Sequence, residues 1–542
     1  MRGVRIPTMQ NALDMLSEDV REVVKPLLEK ASSDLAEKEE TLAKRDVEIQ
    51  RLTITVNLLQ EQMRLMKARM FGPSRETLQK GQTELFDMPE AEPKAGPVVE
   101  VRKTVRRPFD RSKHPGRNEL PAHLPREIVE IPVPAAERVC AECGSEKQTI
   151  GHETSEQLDV VPAKLFVRQF RREVCACKNC AGEVSTAPVP SQPIPKGLAA
   201  PGLIAQVIVD KYADHLPLNR QEKRFAREGV RLPRRTLCDW ISGVHPLLDR
   251  VVVEMKKDVL GGGYIQVDET PVPMRDPDKP SGITQGYLFE YSRPGGPVIF
   301  EFQAGRSRAG PADFLKNFSG VLQHDGYSAY DAFGPPILHM ACMAHVRRKF
   351  VDAEKAGDKR PRRVLLLIQG LYRIERRLRE KGATPEDRLK VREKRSAKRM
   401  TWLRKRIVKL SHVALPASAL GQACGYALGQ WSRLETFLKD GRVEIDNNWC
   451  ENGIRPITLG RKNWLFIGAE HAGPYSAVCM SLMETCRRLA INPFEYFRDI
   501  LTRLPDHSAH KVEELTPVNW QSSRRKAAAE ASPAQDTPSQ VK

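Results

Sequence analysis

The sequence predicts a multidomain α+β chain: an N-terminal coiled-coil helix, a paired-cysteine knuckle, a helical hairpin, and a strand-rich α/β core interrupted by a helical insertion. Three observations predict it. Apolar residues recur every seven positions before residue 72. Two Cys-x-x-Cys pairs follow. From Gly261 the pattern changes from helical spacing to short alternating runs, and it returns to helical spacing between about 350 and 440.

The chain has 542 residues, 40% of them hydrophobic, enough for three or four folded units, which excludes a disulfide-stapled miniprotein, a collagen and a wholly disordered chain. No apolar run reaches the roughly 18–20 residues of a membrane span, and Met1–Met15 lacks a secretory core, so the expected location is the cytoplasm. Eleven cysteines in that compartment read as thiols or metal ligands. The formal charge is +18, and it is local: Val346–Lys409 holds 24 Lys/Arg against 8 Asp/Glu, or +16, leaving +2 for the rest. So dense a same-sign block repels itself unless a polyanion is near, and nucleic acid is the commonest polyanion.

Leu35, Leu42, Ile49, Val56, Met63 and Met70 form the heptad series, and Leu52, Leu59 and Met66 fall three residues after its members. That is an a/d seam, and charged flanks favour self-association over folding back. Lys38 and Arg45 interrupt the earlier d sites. The helix should stop at Gly72-Pro73, before a basic, Pro-rich linker. Cys140-Ala-Glu-Cys143 and Cys177-Lys-Asn-Cys180 then offer two thiolate pairs to one tetrahedral Zn²⁺, with Cys175 as a spare thiol. Asn219–Arg227, the turn at Glu228-Gly229 and Pro233–Ile241 read as a helix-turn-helix whose Arg234, Arg235 and Thr236 face a DNA groove.

The core reads β-β-β-α-β-(short helix)-β, with strands at Tyr264–Asp268, Gly286–Tyr291, Pro297–Gln303, Val321–Asp325 and Pro336–Met340, and a helix at Pro311–Phe318. Asp268 and Asp325 fall at carboxyl-side strand ends, where neighbouring strands bring carboxylates to one edge. Glu451 sits on a later helix. Three converging carboxylates repel one another, and a divalent cation with oxygen ligands, Mg²⁺ or Mn²⁺, relieves them; such a site can cut and join phosphodiesters. Alone, any one of these acids would be a cap or a surface charge. His324 alternates to the opposite face and reads as structural.

Several blocks now carry a resemblance: Met70-Phe71-Gly72-Pro73-Ser74, the two cysteine pairs, Lys211–Leu218, Val267-Asp268-Glu269-Thr270, His324-Asp325-Gly326-Tyr327, Ala341–Phe350, Ile445–Asn448, Glu451–Pro456 and Gly460–Phe466. With these the chain resembles the transposases of the insertion-sequence 66 family from the heptad helix to about Pro505. The resemblance implies an RNase H-like catalytic domain of the DDE type with Asp268, Asp325 and Glu451 as metal-binding acids. It also implies cut-and-join mobilisation of an element with terminal inverted repeats, and possible accessory proteins encoded by the element.

Beyond the triad, Arg461 and Lys462 are candidate phosphate contacts, Arg347 and Arg348 candidate DNA contacts past the last strand, and Trp464 packs with Phe466 inside the domain. The basic block is assigned sequence-independent binding along the DNA backbone. The resulting division is 1–72 leucine-zipper-like coiled coil and homo-oligomer contact, 73–134 linker, 135–195 zinc-binding domain, 196–258 helix-turn-helix-like region, 259–350 first part of the core, 351–440 basic helical insertion, 441–505 core completion with C-terminal helices, and 506–542 flexible tail. Two competing readings stay open: a zinc-containing DNA-binding regulator derived from a transposase, without catalysis, and a nuclease that cuts and does not join.

Overall fold

The computed structural model describes residues 17–71, 165–175 and 185–531. Cys140, Cys143, Cys177 and Cys180, and the basic linker, lie outside the described residues. Those described divide between two units, one within Met1–Leu85 and Ala341–Ile445, the other within Phe86–Met340 and Asp446–Lys542.

The first unit opens with α1, Glu18–Phe71, a single helix of 54 residues, roughly 80 Å long. Its heptad residues are exposed: Leu35, Leu42, Ile49, Leu52, Val56, Leu59, Met63 and Met66 are each at least half accessible. Such a row of apolar side chains in water is unfavourable for a lone helix.

In the second unit a two-residue ribbon pairs β1, Val174–Cys175, with β2, Ser185–Thr186, antiparallel. Then come α2, Pro201–Tyr212, and α3, Leu218–Arg227, which buries Leu218, Gln221 and Phe225 at three- and four-residue spacing. Gly229, at φ +82, makes the turn, a conformation that a side chain would strain. Pro233 caps α4, Arg234–Gly261, whose fixed φ suits a helix start. The hairpin is as the sequence suggests, but its second helix runs 28 residues because Val244, Leu248, Val251, Met255 and Val259 continue the buried stripe.

The sheet follows: β3, Tyr264–Arg275; β4, Ile283–Ser292; β5, Val298–Gln303; the short helix α5, Ala309–Phe314; β6, Gly320–His324; and β7, Ile337–Ala341. Strand order is β5-β4-β3-β6-β7. β3 pairs antiparallel with β4 and β4 with β5, whereas β6 runs parallel to β3. One expectation fails here: β3 does not end at Asp268 but continues through Pro271 and Pro273 to Arg275. The prolines are tolerated because their missing N–H groups face away from β4, on the side that β6 has left. There Ile467 forms an isolated bridge, donating to the Pro273 carbonyl at 2.8 Å and accepting from Arg275 N–H at 3.0 Å.

The chain then enters the first unit again with α6, Met343–Lys355; α7, Arg362–Glu380; α8, Pro385–Val391; a π-turn, Arg392–Ser396; α9, Ala397–Ser411; α10, Ala419–Gly429; and α11, Trp431–Leu434. Phe350, Ile368, Leu371, Leu403, Ile407 and Cys424 are fully buried in this bundle. Its centre also holds a charge pair. Arg392 donates to both oxygens of Glu375 at 2.9 and 2.7 Å, and to the carbonyls of Phe437, Asp440 and Val443; Arg388 adds a further bond to Glu375 at 3.1 Å. The carboxylate of Glu61 on α1 accepts from Ala419 N–H at 3.1 Å, so α1 docks on this bundle near α10.

The second unit is completed by α12, Asn448–Trp464; α13, Ala472–Arg488; and α14, Pro493–Arg503. α13 covers the sheet edge: Ser481 and Thr485 accept from the N–H groups of Phe300 and Val298 at 2.8 and 3.0 Å, satisfying donors that an edge strand would expose. The segment from 506, expected as a flexible tail, is structured to Ala531. A 3₁₀ turn at Ala509–Leu515 leads to α15, Pro517–Ala531, and Val512, Leu515 and Trp520 are buried in the unit's core. The Pro- and Ala-rich composition hid those three anchors. No helix among the described residues is long and apolar enough to cross a membrane.

Candidate active site

The β3–β6 ladder sets the positions of the first two acids. Tyr264, Ile265 and Gln266 pair with Val321, Leu322 and Gln323, a constant offset of 57 residues. Asp268 and Asp325 keep that offset, two positions past the last pair. They therefore come just past the pairing on adjacent chains, Asp268 still within β3 and Asp325 in the turn that follows β6. Asp268 is mid-strand with respect to β4, opposite Glu290, but it lies just beyond the end of the parallel pairing, which is the edge that matters.

The third acid is brought from a distant part of the sequence by a buried amide. Gln266 Nε2 donates to the Asp446 carbonyl at 2.9 Å and to Gln323 at 2.8 Å, while its Oε1 accepts from Cys450 N–H at 3.2 Å. Asn447 Nδ2 donates to the Val267 carbonyl at 3.0 Å. These bonds pin the start of α12 to β3 just before Asp268, which brings Glu451, one residue past Cys450, near enough for its charge to act on Asp268. Behind it, Arg488 donates to Glu290 and to the Trp449 carbonyl, both at 2.9 Å, and to Glu484 at 2.8 Å. Gly453 is required by this approach, since a Cβ there would collide with Arg488 and Glu290.

The electrostatics show that the acids are gathered. Burial, and after it the charges of Glu451, Glu269 and Asp325, push the Asp268 carboxyl well above the usual carboxylate range; the Glu269 N–H, donating to it at 2.9 Å, opposes this. Burial also raises Glu269 against the pull of Arg306, with Asp325 adding to the rise. Glu290 is pushed up to about 8, mainly by burial and against Arg488.

A cation and two tyrosines flank the acids, and sequence reasoning missed their arrangement. Arg306, on the loop after β5, donates through Nε to Glu269 at 3.1 Å and lies 4.0 Å over the Tyr327 ring. Tyr327 returns a bond from its hydroxyl to the Arg306 carbonyl at 2.7 Å, and Tyr330 donates to the other Glu269 oxygen at 3.2 Å. Arg306 is isolated in the sequence, but Glu269 and Tyr327 sit beside the two aspartates, and that adjacency was the available signal. His324 is structural as expected: fully buried, it accepts from Gly326 N–H at 3.1 Å and bonds His339 at 3.1 Å, fixing the turn that carries Asp325.

The other candidate residues scatter. Arg234 and Arg235 are exposed at the start of α4. Arg461 and Lys462 lie in the last turn of α12, about ten residues from Glu451 and hence some 15 Å along the helix. Arg461 is engaged with β3, donating to the Pro271 carbonyl at 2.6 Å and to Thr270 at 3.2 Å, whereas Lys462 is exposed. Trp464 packs against the core; Phe466 does not join it, staying on the surface beside Arg275. Arg347 and Arg348 stand on α6, in the first unit.

Asp268, Asp325 and Glu451 supply carboxylate oxygens, the donors that Mg²⁺ and Mn²⁺ prefer, and the Asp268 carboxyl is raised first by burial and then by the charges of Glu451, Glu269 and Asp325.

Comparison with known proteins covers most of the chain. Residues 196–474 match the Transposase IS66 family, 137–181 the zinc-finger binding domain of transposase IS66, 481–518 the IS66 C-terminal element, and 58–129 the Transposase C of IS166 homeodomain. Three proteins of Sinorhizobium fredii (strain NBRC 101917 / NGR234), each named only as uncharacterized, are similar over most of their length. The protein y4jD is 34% identical over 74% of this chain and 81% of its own, y4qI 35% over 74% and 77%, and y4hP 31% over 79% and 80%. No solved structure gives a significant match.

Proposed function

This chain belongs to the transposase IS66 family, and from that membership we propose that it binds the terminal inverted repeats of an insertion sequence and catalyses divalent-metal-dependent DNA cleavage and strand transfer. In this reading the five-stranded sheet with α12 is an RNase H-like core of the DDE type. The observation that carries the proposal is that Asp268 and Asp325 follow directly on the parallel β3–β6 pairing, with the start of α12, and so Glu451, tied to β3 beside them through Gln266 and Asn447.

Asp268, Asp325 and Glu451 would hold Mg²⁺ or Mn²⁺, which when bound activates the attacking oxygen and stabilises the leaving one. The chain's own groups do the rest. Burial around Asp268 limits water other than the nucleophile. Arg306, kept in place by Glu269 and Tyr327, offers a pre-positioned guanidinium to a phosphate beside the scissile bond. The Glu290–Arg488 pair holds the first turn of α12, and with it Glu451, in a single orientation. Arg234 and Arg235 on α4, Arg347 and Arg348 on α6, and Lys462 extend DNA contact beyond the reacting phosphate; Arg461 serves by bracing α12 against β3.

Incubation with labelled element ends and Mn²⁺ tests the reading. Nicked and joined products are expected; a mobility shift with no nick would leave a DNA-binding regulator, and nicks without joined product a nuclease.

Two further outcomes follow from the remaining parts. The family match over 137–181 supports zinc, and we assign it to Cys140, Cys143, Cys177 and Cys180. Metal analysis of the purified chain should find about one equivalent of Zn²⁺, and Cys140→Ser with Cys143→Ser should lose it and weaken end binding. The exposed heptads of α1 are assigned to a second copy of the chain. Deleting residues 30–70 should reduce the mass measured by light scattering to that of a smaller oligomer, and an unchanged subunit number would reject the assignment.

A further inference from the structure

The basic helical bundle presents one surface whose composition goes beyond charge. Between Arg392 and His412 nine residues are Lys or Arg and one is acidic. α9 and the π-turn before it sort them by helical spacing. Leu403, Ile407 and Leu410 are buried against the bundle, while Arg395, Lys398, Trp402, Lys405, Lys409 and His412, each three or four residues after the last, are exposed along one stripe. Arg404, Lys405, Val408, Lys409 and His412 line a shallow open depression beside it. None of Arg395, Lys398, Lys405 and Lys409 forms an ion pair with an acid among the described residues. By contrast, Arg388 and Arg392, on the inner side of the same stretch, are paired with Glu375, and Arg388 with Glu444 as well.

Trp402 is the informative member. Its indole is 56% exposed at the middle of the stripe, and it is the sole large apolar side chain left accessible between Arg395 and His412 among the described residues. A membrane surface needs a continuous apolar face, which one ring does not make. An acidic protein would use the cations and leave the ring idle. Duplex DNA would do the same, since its bases are stacked inward. A strand with unpaired bases uses both: phosphates lie against the cations, Lys398 and Lys405 being about 10 Å apart along the helix on either side of Trp402, and a base stacks on the indole between them.

We propose that the outer face of α9 is a binding surface for single-stranded DNA, with Trp402 as its stacking platform and Arg395, Lys398, Lys405 and Lys409 as its phosphate contacts. It deepens the transposase reading, in which cleaved ends and gapped target carry unpaired nucleotides, but it is tested by binding alone.

The full chain is titrated with fluorescein-labelled oligodeoxythymidine and, separately, with a duplex of equal phosphate number, both at moderate salt. Trp402→Ala should weaken oligodeoxythymidine binding about tenfold, the scale of one lost base stack, and change duplex binding less than twofold. Trp402→Phe should retain most of the affinity. Lys405→Glu with Lys409→Glu should weaken binding and flatten its salt dependence. Oligodeoxythymidine should also quench emission from the wild type more than from Trp402→Phe. Equal loss on single strand and duplex, no loss in Trp402→Ala, or tighter binding of phosphatidylserine vesicles than of oligodeoxythymidine would overturn the proposal. Cleavage of element ends is read separately. Inactive protein that still shows the Trp402-dependent preference sinks the catalytic reading and keeps this surface; active protein without that preference does the reverse.

Discussion

Asp268→Asn is expected to lower both strand cleavage and strand joining by on the order of a thousandfold while end binding stays within a few-fold of wild type. Asp325→Asn and Glu451→Gln should match it, because a cation held by three carboxylates loses its site when any one is neutralised. The argument has a second readout that a merely structural residue would not produce. Desolvation, and after it the like charges of Glu451, Glu269 and Asp325, push the half-buried Asp268 carboxyl well above the ordinary range, so in metal-free protein it opposes folding. Asparagine removes that repulsion. The variant should therefore melt at the same temperature as wild type or higher, whereas a lost core contact would lower it. Wild type should gain thermal stability on addition of Mg²⁺, and the variant should gain little, since only a bound ligand shifts the equilibrium. Joining retained in any one variant, or a lower melting temperature with an intact Mg²⁺ response, would count against the assignment.

The second large effect lies in the helical bundle. Glu375→Ala should destabilise that unit by about 3–5 kcal/mol, because it leaves Arg392, with no exposed surface, without its counter-charge, while the mostly buried Arg388 keeps only Glu444. Burial alone would raise the Glu375 carboxyl, but the two arginines outweigh it and hold it below the usual glutamate range. A carboxyl more acidic in the folded state stabilises in full above its unfolded value, about 4.3, and the contribution fades as pH falls through the lower folded value. Denaturant melts should show the full difference between wild type and variant near pH 7 and a shrinking one below about pH 4. A difference independent of pH would mean that packing, not the ion pair, is what the substitution removed. Replacing Glu375, Arg388 and Arg392 together by apolar residues of similar volume should cost less than Glu375→Ala alone, since no charge is then stranded.

The succession of strands and helices along the core was legible because alternation and turn residues are local signals, but the order of the strands within the sheet was not. The extent of β3 was not, since proline normally ends a strand, and only the absence of a β6 partner beyond Gln266 makes Pro271 and Pro273 acceptable. Nor was the tie between Gln266 and Asp446–Cys450 legible: the partners are 180 residues apart, and a buried glutamine in a strand looks like any polar position. Arg461 shows a dual engagement that the sequence did not reveal: a basic pair next to an aromatic reads as a phosphate contact, and one terminal nitrogen of its guanidinium already donates to the Pro271 carbonyl and Thr270. The end of the chain misled for a compositional reason, three anchors spread among Pro, Ser and Ala.

Asp325 and Glu451 are separated by the whole bundle, so the order of synthesis has a consequence. A ribosome that stops anywhere between them releases a product with both aspartates, the hairpin and the paired cysteines, but without the third acid or the helix that bears it. It would also lack α13, whose Ser481 and Thr485 satisfy the edge N–H groups of Phe300 and Val298, and the core anchors Val512, Leu515 and Trp520, so the sheet that carries the two aspartates is finished only after the rest of the chain has been made.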